Sequence, residues 1–87
     1  MDVKVKIKVP IFDEDRIVKY MLDIDGIIDI ALAESAVQYI DNDDNISKNW
    51  IEIQFKSGIS LIVKLSLEKL LELRKQCEND KLKAFMN

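Results

Sequence analysis

The sequence predicts an α+β fold of element order β-α-α-β-β-α, in which a small antiparallel sheet (an N-terminal strand plus a C-terminal β-hairpin) packs with two or three helices. Three observations predict it. Residues 3–9 alternate strictly, residues 28–41 carry a wide apolar arc at helical spacing, and two alternating segments flank the Ser57-Gly58 pair. With 87 residues, 48% of them apolar and 33% charged, the chain has material for one hydrophobic core. We therefore expect a single domain over residues 1–87.

The first predicted element is a strand over residues 3–9. Its apolar residues occupy one face, and Lys4, Lys6 and Lys8 occupy the other. Lysines in this arrangement are typical of an edge strand, where charge discourages pairing with other chains. We expect Pro10 to end the strand, because it has no backbone N–H to donate to a ladder.

The next segment, residues 14–23, fits two structures. Asp13 suits the N-cap of a helix, and Gly26 suits the residue that ends one. A strand would instead use the alternation of four apolar residues, Val18, Tyr20, Leu22 and Ile24. We predict a helix here and keep the strand as the alternative.

A second helix is predicted over residues 28–41. At 3.6 residues per turn, Glu34, Ser35 and Gln38 gather on one side while apolar residues cover a wide arc. So wide an arc predicts a mostly buried helix. Asp29 interrupts it, but near a helix start a carboxylate can accept hydrogen bonds from free backbone amides.

Residues 50–65 predict a β-hairpin. A two-residue turn would set the apolar faces of its strands on opposite sides of the sheet, whereas a three-residue loop over 56–58 sets them on one side. The longer loop pairs Phe55 with Ile59. It also puts Gly58 where such loops need a residue with a left-handed backbone, so we expect a bulge there.

The last predicted element is a helix that Ser66 can cap and that runs from residue 67 to about residue 83. Cys77 falls on its apolar stripe, where it would act as a small buried filler. As the single cysteine of the chain, Cys77 has no partner for an intramolecular disulfide, which favours a reducing compartment.

The segment DNDDNISKNWIE, residues 41–52, matches a calcium-binding EF-hand loop in part. Oxygen-bearing side chains stand at loop positions 1, 3, 5, 9 and 12: Asp41, Asp43, Asn45, Asn49 and Glu52. The glycine that the loop needs at position 6 is replaced by Ile46, and the segment then alternates like a strand, whereas an EF-hand continues into a helix. We therefore predict a polar turn and no metal site.

Several kinds of chemistry lack their residues. The absence of histidine removes the commonest general base and the commonest transition-metal ligand, and the two glycines belong to no phosphate-binding loop. We expect no enzyme activity and no cofactor. A pI near 4.9, with basic residues not clustered with aromatic ones, argues against direct nucleic-acid binding, and no apolar run approaches the length of a membrane span.

Charge is distributed unevenly. Residues 12–45 carry a net −8, against +2 for residues 1–11 and +3 for residues 46–87. An acidic segment of this kind predicts a face that meets a basic partner. The predicted hairpin register adds a small apolar patch, Trp50 and Ile62, on the face opposite the core.

These features predict a small non-catalytic protein-binding module or inhibitor that forms a homodimer and acts in the cytoplasm. The expected partner-binding residues are Asp41, Asp43, Asp44, Trp50 and Ile62. The alternative is a small-ligand-binding or sequestering protein with a pocket for an anionic ligand between subunits. That pocket would use Lys4, Lys6 and Lys64.

Overall fold

The computed structural model describes residues 1–41 and 43–80 in full, and the backbone of residues 81–86. Within these residues the chain forms one antiparallel sheet and a C-terminal helix. The strands are β1 (Asp2–Phe12), β2 (Val18–Asp29), β3 (Ala33–Ile40), β4 (Ile46–Phe55) and β5 (Ser60–Lys64); a 3-10 turn (Ile30–Leu32) joins β2 to β3, and the helix is α1 (Leu67–Met86). The strand order across the sheet is β2-β1-β5-β4-β3.

The predicted fold class, with its order β-α-α-β-β-α, is wrong, because the described elements run β-β-β-β-β-α. Residues 14–23, predicted as a helix, form a turn and the start of β2, so the strand alternative agrees with the structure. Residues 28–41, predicted as the second helix, contain the end of β2, the 3-10 turn and β3. Strand pairing explains both errors, since β2 pairs with β1 along its whole length and β3 pairs with β4.

The predicted N-terminal strand is present as β1 but differs from its prediction in two ways. β1 lies between β2 and β5, so it is not an edge strand. It also continues through Pro10 to Phe12. Pro10 is tolerated because it lies opposite Met21, beyond the two positions at which β1 pairs with β5, where the missing N–H breaks no ladder bond.

The hairpin of β4 and β5 has the predicted register. Ile53 lies opposite Leu61, and the Phe55 N–H donates to the Ile59 carbonyl at 2.8 Å. Gly58 has φ +90°, in the left-handed region that the three-residue loop requires.

The C-terminal helix also agrees with its prediction. The Ser66 hydroxyl accepts a hydrogen bond from the Lys69 N–H at 3.1 Å, as an N-cap does. Cys77 is buried on the face that packs on the sheet, together with Leu70 and Leu73. The Arg74 guanidinium donates to the Ala33 carbonyl and so fixes the helix against the start of β3. No helix among the described residues is long and apolar enough to cross a membrane.

The sheet must curl strongly, because its two edge strands are joined by a very short connection. A flat sheet of five strands would separate β2 from β3 by four interstrand spacings, about 19 Å. The residues from Asp29 to Ala33 span about 14 Å at most. The sheet therefore curls so that the linked ends of its two edge strands approach each other, and the core lies on its inner face. Its fully buried side chains are Ile30, Ile51, Ile53 and Val63.

Candidate functional site

One part of the molecule projects from the curled sheet. β1 pairs with β5 only at Ile7 and Lys8 among the described residues, and beyond these its strand neighbour is β2. Residues 9–22, which we call the arm, therefore form a two-stranded extension. The molecule is correspondingly elongated, with principal extents of 55 × 24 × 20 Å.

The arm is apolar on both of its faces. The register puts the pairs Val9–Leu22 and Ile11–Tyr20 on the face that continues the inside of the sheet, and the pairs Pro10–Met21 and Phe12–Val18 on the outer face. Four of these eight side chains are exposed, Phe12 to 56%, and the other four are half-buried. Ile17 at the tip is exposed to 63%. Strands that are apolar on both faces are normally buried on both faces.

The tip of the arm is a turn organised by one carboxylate. Oδ1 of Asp13 accepts hydrogen bonds from the backbone N–H groups of Asp15 at 2.8 Å and Ile17 at 3.0 Å. The Asp13 N–H donates to the Ile17 carbonyl, and Arg16 has φ +63°. Asp13 thus fixes the turn by the same side-chain chemistry that would have capped a helix.

A second exposed apolar surface lies where the sheet nearly closes. Ile27 near the end of β2, Leu32 of the 3-10 turn and Ile59, which immediately precedes β5, line an open groove. These side chains are exposed to 64%, 49% and 60% respectively. We call this surface the closure groove.

The outer face of the sheet carries the lysines of the predicted anionic-ligand pocket. Lys4 and Lys6 lie on this face of β1, and the register of β1 with β5 brings Lys64 next to Lys6. This face carries charges of both signs, because Lys6 forms an ion pair with Asp25 and Lys8 forms one with Asp23. The three predicted lysines therefore share one face, but that face is open and partly neutralised.

Trp50 and Ile62 lie on the outer face, as the hairpin register predicted, and both are half-buried. Lys8 covers part of this patch. Its Nζ lies 4.1 Å from the centroid of the Trp50 ring, and its Cα lies opposite that of Ile62. A cation over an aromatic face is attracted by the ring quadrupole, so Lys8 is held over the patch.

The predicted acidic site forms the turn between β3 and β4. Oδ1 of Asp41 accepts from the N–H groups of Asp43 at 2.9 Å and Asn45 at 3.0 Å, so Asp41 shapes the turn. Asp43 and Asp44 are exposed. Glu52 lies well inside β4, opposite Val37, and does not join them. Among the described residues no cluster of three or more metal-ligating side chains occurs. Asn42, within the same loop, lies outside them.

The N-terminus is fastened to the end of β2. The Met1 ammonium lies 3.2 Å from Oδ1 of Asp29, and this hydrogen bond raises the pKa of the ammonium. The same carboxylate accepts from the Ala31 N–H at 3.0 Å and caps the 3-10 turn. The expectation that Asp29 would bond free backbone amides is therefore met at a different element.

The sequence contains a pattern that indicates the hairpin of the arm, although we predicted a helix for part of this segment. Apolar residues run without alternation on each side of the charged stretch DEDR: residues 9–12 before it, and most of residues 17–22 after it. Two apolar runs around a polar turn are typical of a hairpin whose strands are apolar on both faces. The closure groove has no such signal, because its residues come from separate elements.

Comparisons of the chain with protein-family models, with curated proteins and with solved structures find no match.

Proposed function

We propose that this protein is a non-catalytic protein-binding module that holds its partner through the arm. The observation that carries the proposal is the exposure of apolar side chains on both faces of the arm, including Phe12, Ile17 and Leu22. Contiguous exposed apolar surface of this kind is typical of interaction sites.

Energetics support the same proposal. A two-stranded hairpin is marginally stable by itself in water, so the arm gains much from a partner that covers it. Full burial of a large apolar side chain contributes about 1.5 to 3 kcal/mol. Phe12 and Leu22 are about half exposed, so each would contribute about 1 kcal/mol when covered.

Other parts of the surface would contribute secondary contacts. The patch of Trp50 and Ile62 lies on the outer face, and Asp43 and Asp44 offer negative charge to a basic partner. Asp41 belongs to this acidic group but acts mainly within its own turn. The cytoplasmic location that the single cysteine suggests is part of the proposal.

The test compares a double variant of the arm tip, Phe12→Ser with Ile17→Ser, with the wild type. Val37→Ser is the matched control, because Val37 is exposed to 60% but lies on β3, away from the arm. Each tagged protein is used to capture partners in its source cells, and bound proteins and the oligomeric state are quantified by mass spectrometry. We expect the arm variant to lose at least tenfold of its bound protein while the control retains it.

Thermal unfolding followed by circular dichroism shows whether the arm variant still folds. A folded arm variant that retains as much bound protein as the wild type would contradict the proposal.

A second candidate is binding of an anionic ligand, which is favoured by the placement of Lys4, Lys6 and Lys64 on one face. Native mass spectrometry of gently purified protein should then show retained mass of a few hundred daltons per subunit, and replacing all three lysines by alanine should remove it. Bare wild-type protein, or retained mass unaffected by the substitutions, would contradict this candidate.

A further inference from the structure

The arm leaves one strand edge open. β2 is an outer strand of the sheet, and just beyond the paired strands the Ile30 N–H donates to the Met1 carbonyl, which precedes β1. Because hydrogen-bonded positions alternate along an antiparallel pair, Leu22 directs its backbone N–H and C=O toward β1. Met21 and Asp23 direct theirs outward, where a further strand can pair with them.

Charge does not protect this edge as it does in many proteins. Asp23 and Asp25 are the acidic residues in the open part of β2, and each forms an ion pair with a lysine of β1. Lys8 Nζ lies 3.1 Å from Oδ1 of Asp23. Each carboxylate therefore already has a counter-charge on its own chain, which lowers the charge that opposes pairing at this edge.

The sequence of β2 is complementary to itself in one antiparallel register. With Leu22 opposite Leu22 of the partner subunit, Tyr20 comes opposite the partner subunit's Ile24, and Met21 opposite the partner subunit's Asp23. Exposed apolar residues thus meet each other, and no like charges stand directly opposite.

Neighbouring registers are worse. A two-fold axis at Asp23 sets that residue against itself, and an axis at Ile24 sets Asp23 against Asp25 of the partner subunit. An axis at Met21 sets Ile24 opposite Val18 of the partner subunit, which the bulge has turned to the other face.

From this complementarity we infer that the partner of the arm is a second copy of this chain, joined edge to edge through β2 with Leu22 at the two-fold axis. The inference rests on the proposed function and names its partner. The regular pairing, from Tyr20 to Ile24, spans about 17 Å, so the dimer is weak and its population depends on protein concentration.

A cysteine scan tests the register. In a Cys77→Ala background, Leu22→Cys should form a covalent dimer on mild oxidation, because directly opposite residues of a non-hydrogen-bonded pair lie about 4.5 Å apart at Cα. Tyr20→Cys alone should stay monomeric, but mixed with Ile24→Cys it should form the mixed dimer. A covalent dimer from Met21→Cys in place of Leu22→Cys, or from the control Val37→Cys, would overturn the inferred register.

A second measurement keeps the native cysteine. Sedimentation equilibrium of Leu22→Lys, in which two lysines would face each other, should show a dissociation constant at least tenfold higher than that of the wild type. Val37→Lys should leave it unchanged. Wild-type protein that stays monomeric at several hundred micromolar, while the arm still captures a different protein, would overturn the second-copy inference and leave the proposed function standing. If substitutions in the arm change neither the dimer dissociation constant nor the amount of captured protein, both the second-copy inference and the proposed function are overturned.

Discussion

Gly26 sits against Ile7, and replacing it by alanine tests the packing of the core at the base of the arm. An added Cβ at Gly26 would lie 2.3 Å from Cδ1 of Ile7 and 3.2 Å from its Cγ1. Apolar carbons normally stay about 3.5 to 4.0 Å apart. The Ile7 side chain would have to move by more than 1 Å, and it is 91% buried, with 9% of its surface exposed.

The expected free-energy changes follow from this contact. Overpacking a core costs about 1 to 3 kcal/mol of stability. Replacing glycine by alanine offsets about 0.4 to 1 kcal/mol of this cost, because it lowers the conformational entropy of the unfolded chain. Gly26→Ala should therefore destabilise the protein by about 1 to 2 kcal/mol. Ile7→Val removes Cδ1 and costs about 0.5 to 1.5 kcal/mol by itself. In the double variant the new methyl group occupies the space that Cδ1 leaves. The destabilisation of the double variant should therefore be smaller than the sum of the two single destabilisations by about 1 kcal/mol or more.

Urea unfolding monitored by circular dichroism gives the four free energies of this double-mutant cycle. All variants are compared at one protein concentration, because dimerisation would shift apparent stability. Gly58→Ala is the control, since its added Cβ meets no atom within 4 Å, and its cost should simply add to that of Ile7→Val. Additivity of Gly26→Ala with Ile7→Val within about 0.5 kcal/mol would refute the contact.

Three further predictions concern the turn and the N-terminus. Asp13→Ala should destabilise the protein by about 1 kcal/mol in urea unfolding, because two turn amides lose their acceptor, and Asp13→Asn should recover most of the loss. Arg16→Gly should stabilise it by about 0.5 kcal/mol and by more than Asp44→Gly, since both residues have positive φ but aspartate tolerates it better than arginine; an equal or smaller gain at Arg16 would contradict this. The raised pKa of the Met1 ammonium adds stability that is present below pH 8 and is lost as pH rises through the raised pKa, so unfolding measured from pH 7 to 10 should show a decline that Asp29→Asn reduces.

The parts of the fold that the sequence predicts well are those whose pattern allows one structure. Residues 3–9 alternate strictly, and the register of β4 and β5 follows from which loop keeps Phe55 and Ile59 on one face. Trp50 and Ile62 were placed on the outer face by the same register. In each case side-chain periodicity alone selects the answer.

Asp13 shows why the first helix was predicted in error. A carboxylate that accepts from backbone amides two and four residues later serves a hairpin turn, and one that accepts two or three residues later serves a helix N-cap. Aspartate followed by charged residues suits both. Only the pairing of β1 with β2 on either side of the turn, which Asp13 and its immediate neighbours do not encode, distinguishes the hairpin turn from the helix.

β3 illustrates a second physical reason. Ala33, Glu34, and Ala36 favour a helix by propensity, but their segment meets β4, where Ala36 lies opposite the fully buried Ile53. Backbone pairing and one-sided burial against β4 outweigh the local preference. The closure groove could not be predicted for a related reason, since it exists only once the sheet has curled.

The narrow seam between β1 and β5 also bears on how the protein folds. The pairs β1–β2, β3–β4 and β4–β5 each join neighbouring segments of chain, whereas Ile7 must find Val63 and Lys8 must find Ile62 across most of the sequence. Closing so long a loop costs entropy before the two short pairings return any, so we expect the contacts of this seam to form late in folding, after the transition state. Substitutions such as Val63→Ala would then act mainly on how fast the native sheet opens, and the two halves of the sheet would be the units that separate first under denaturant.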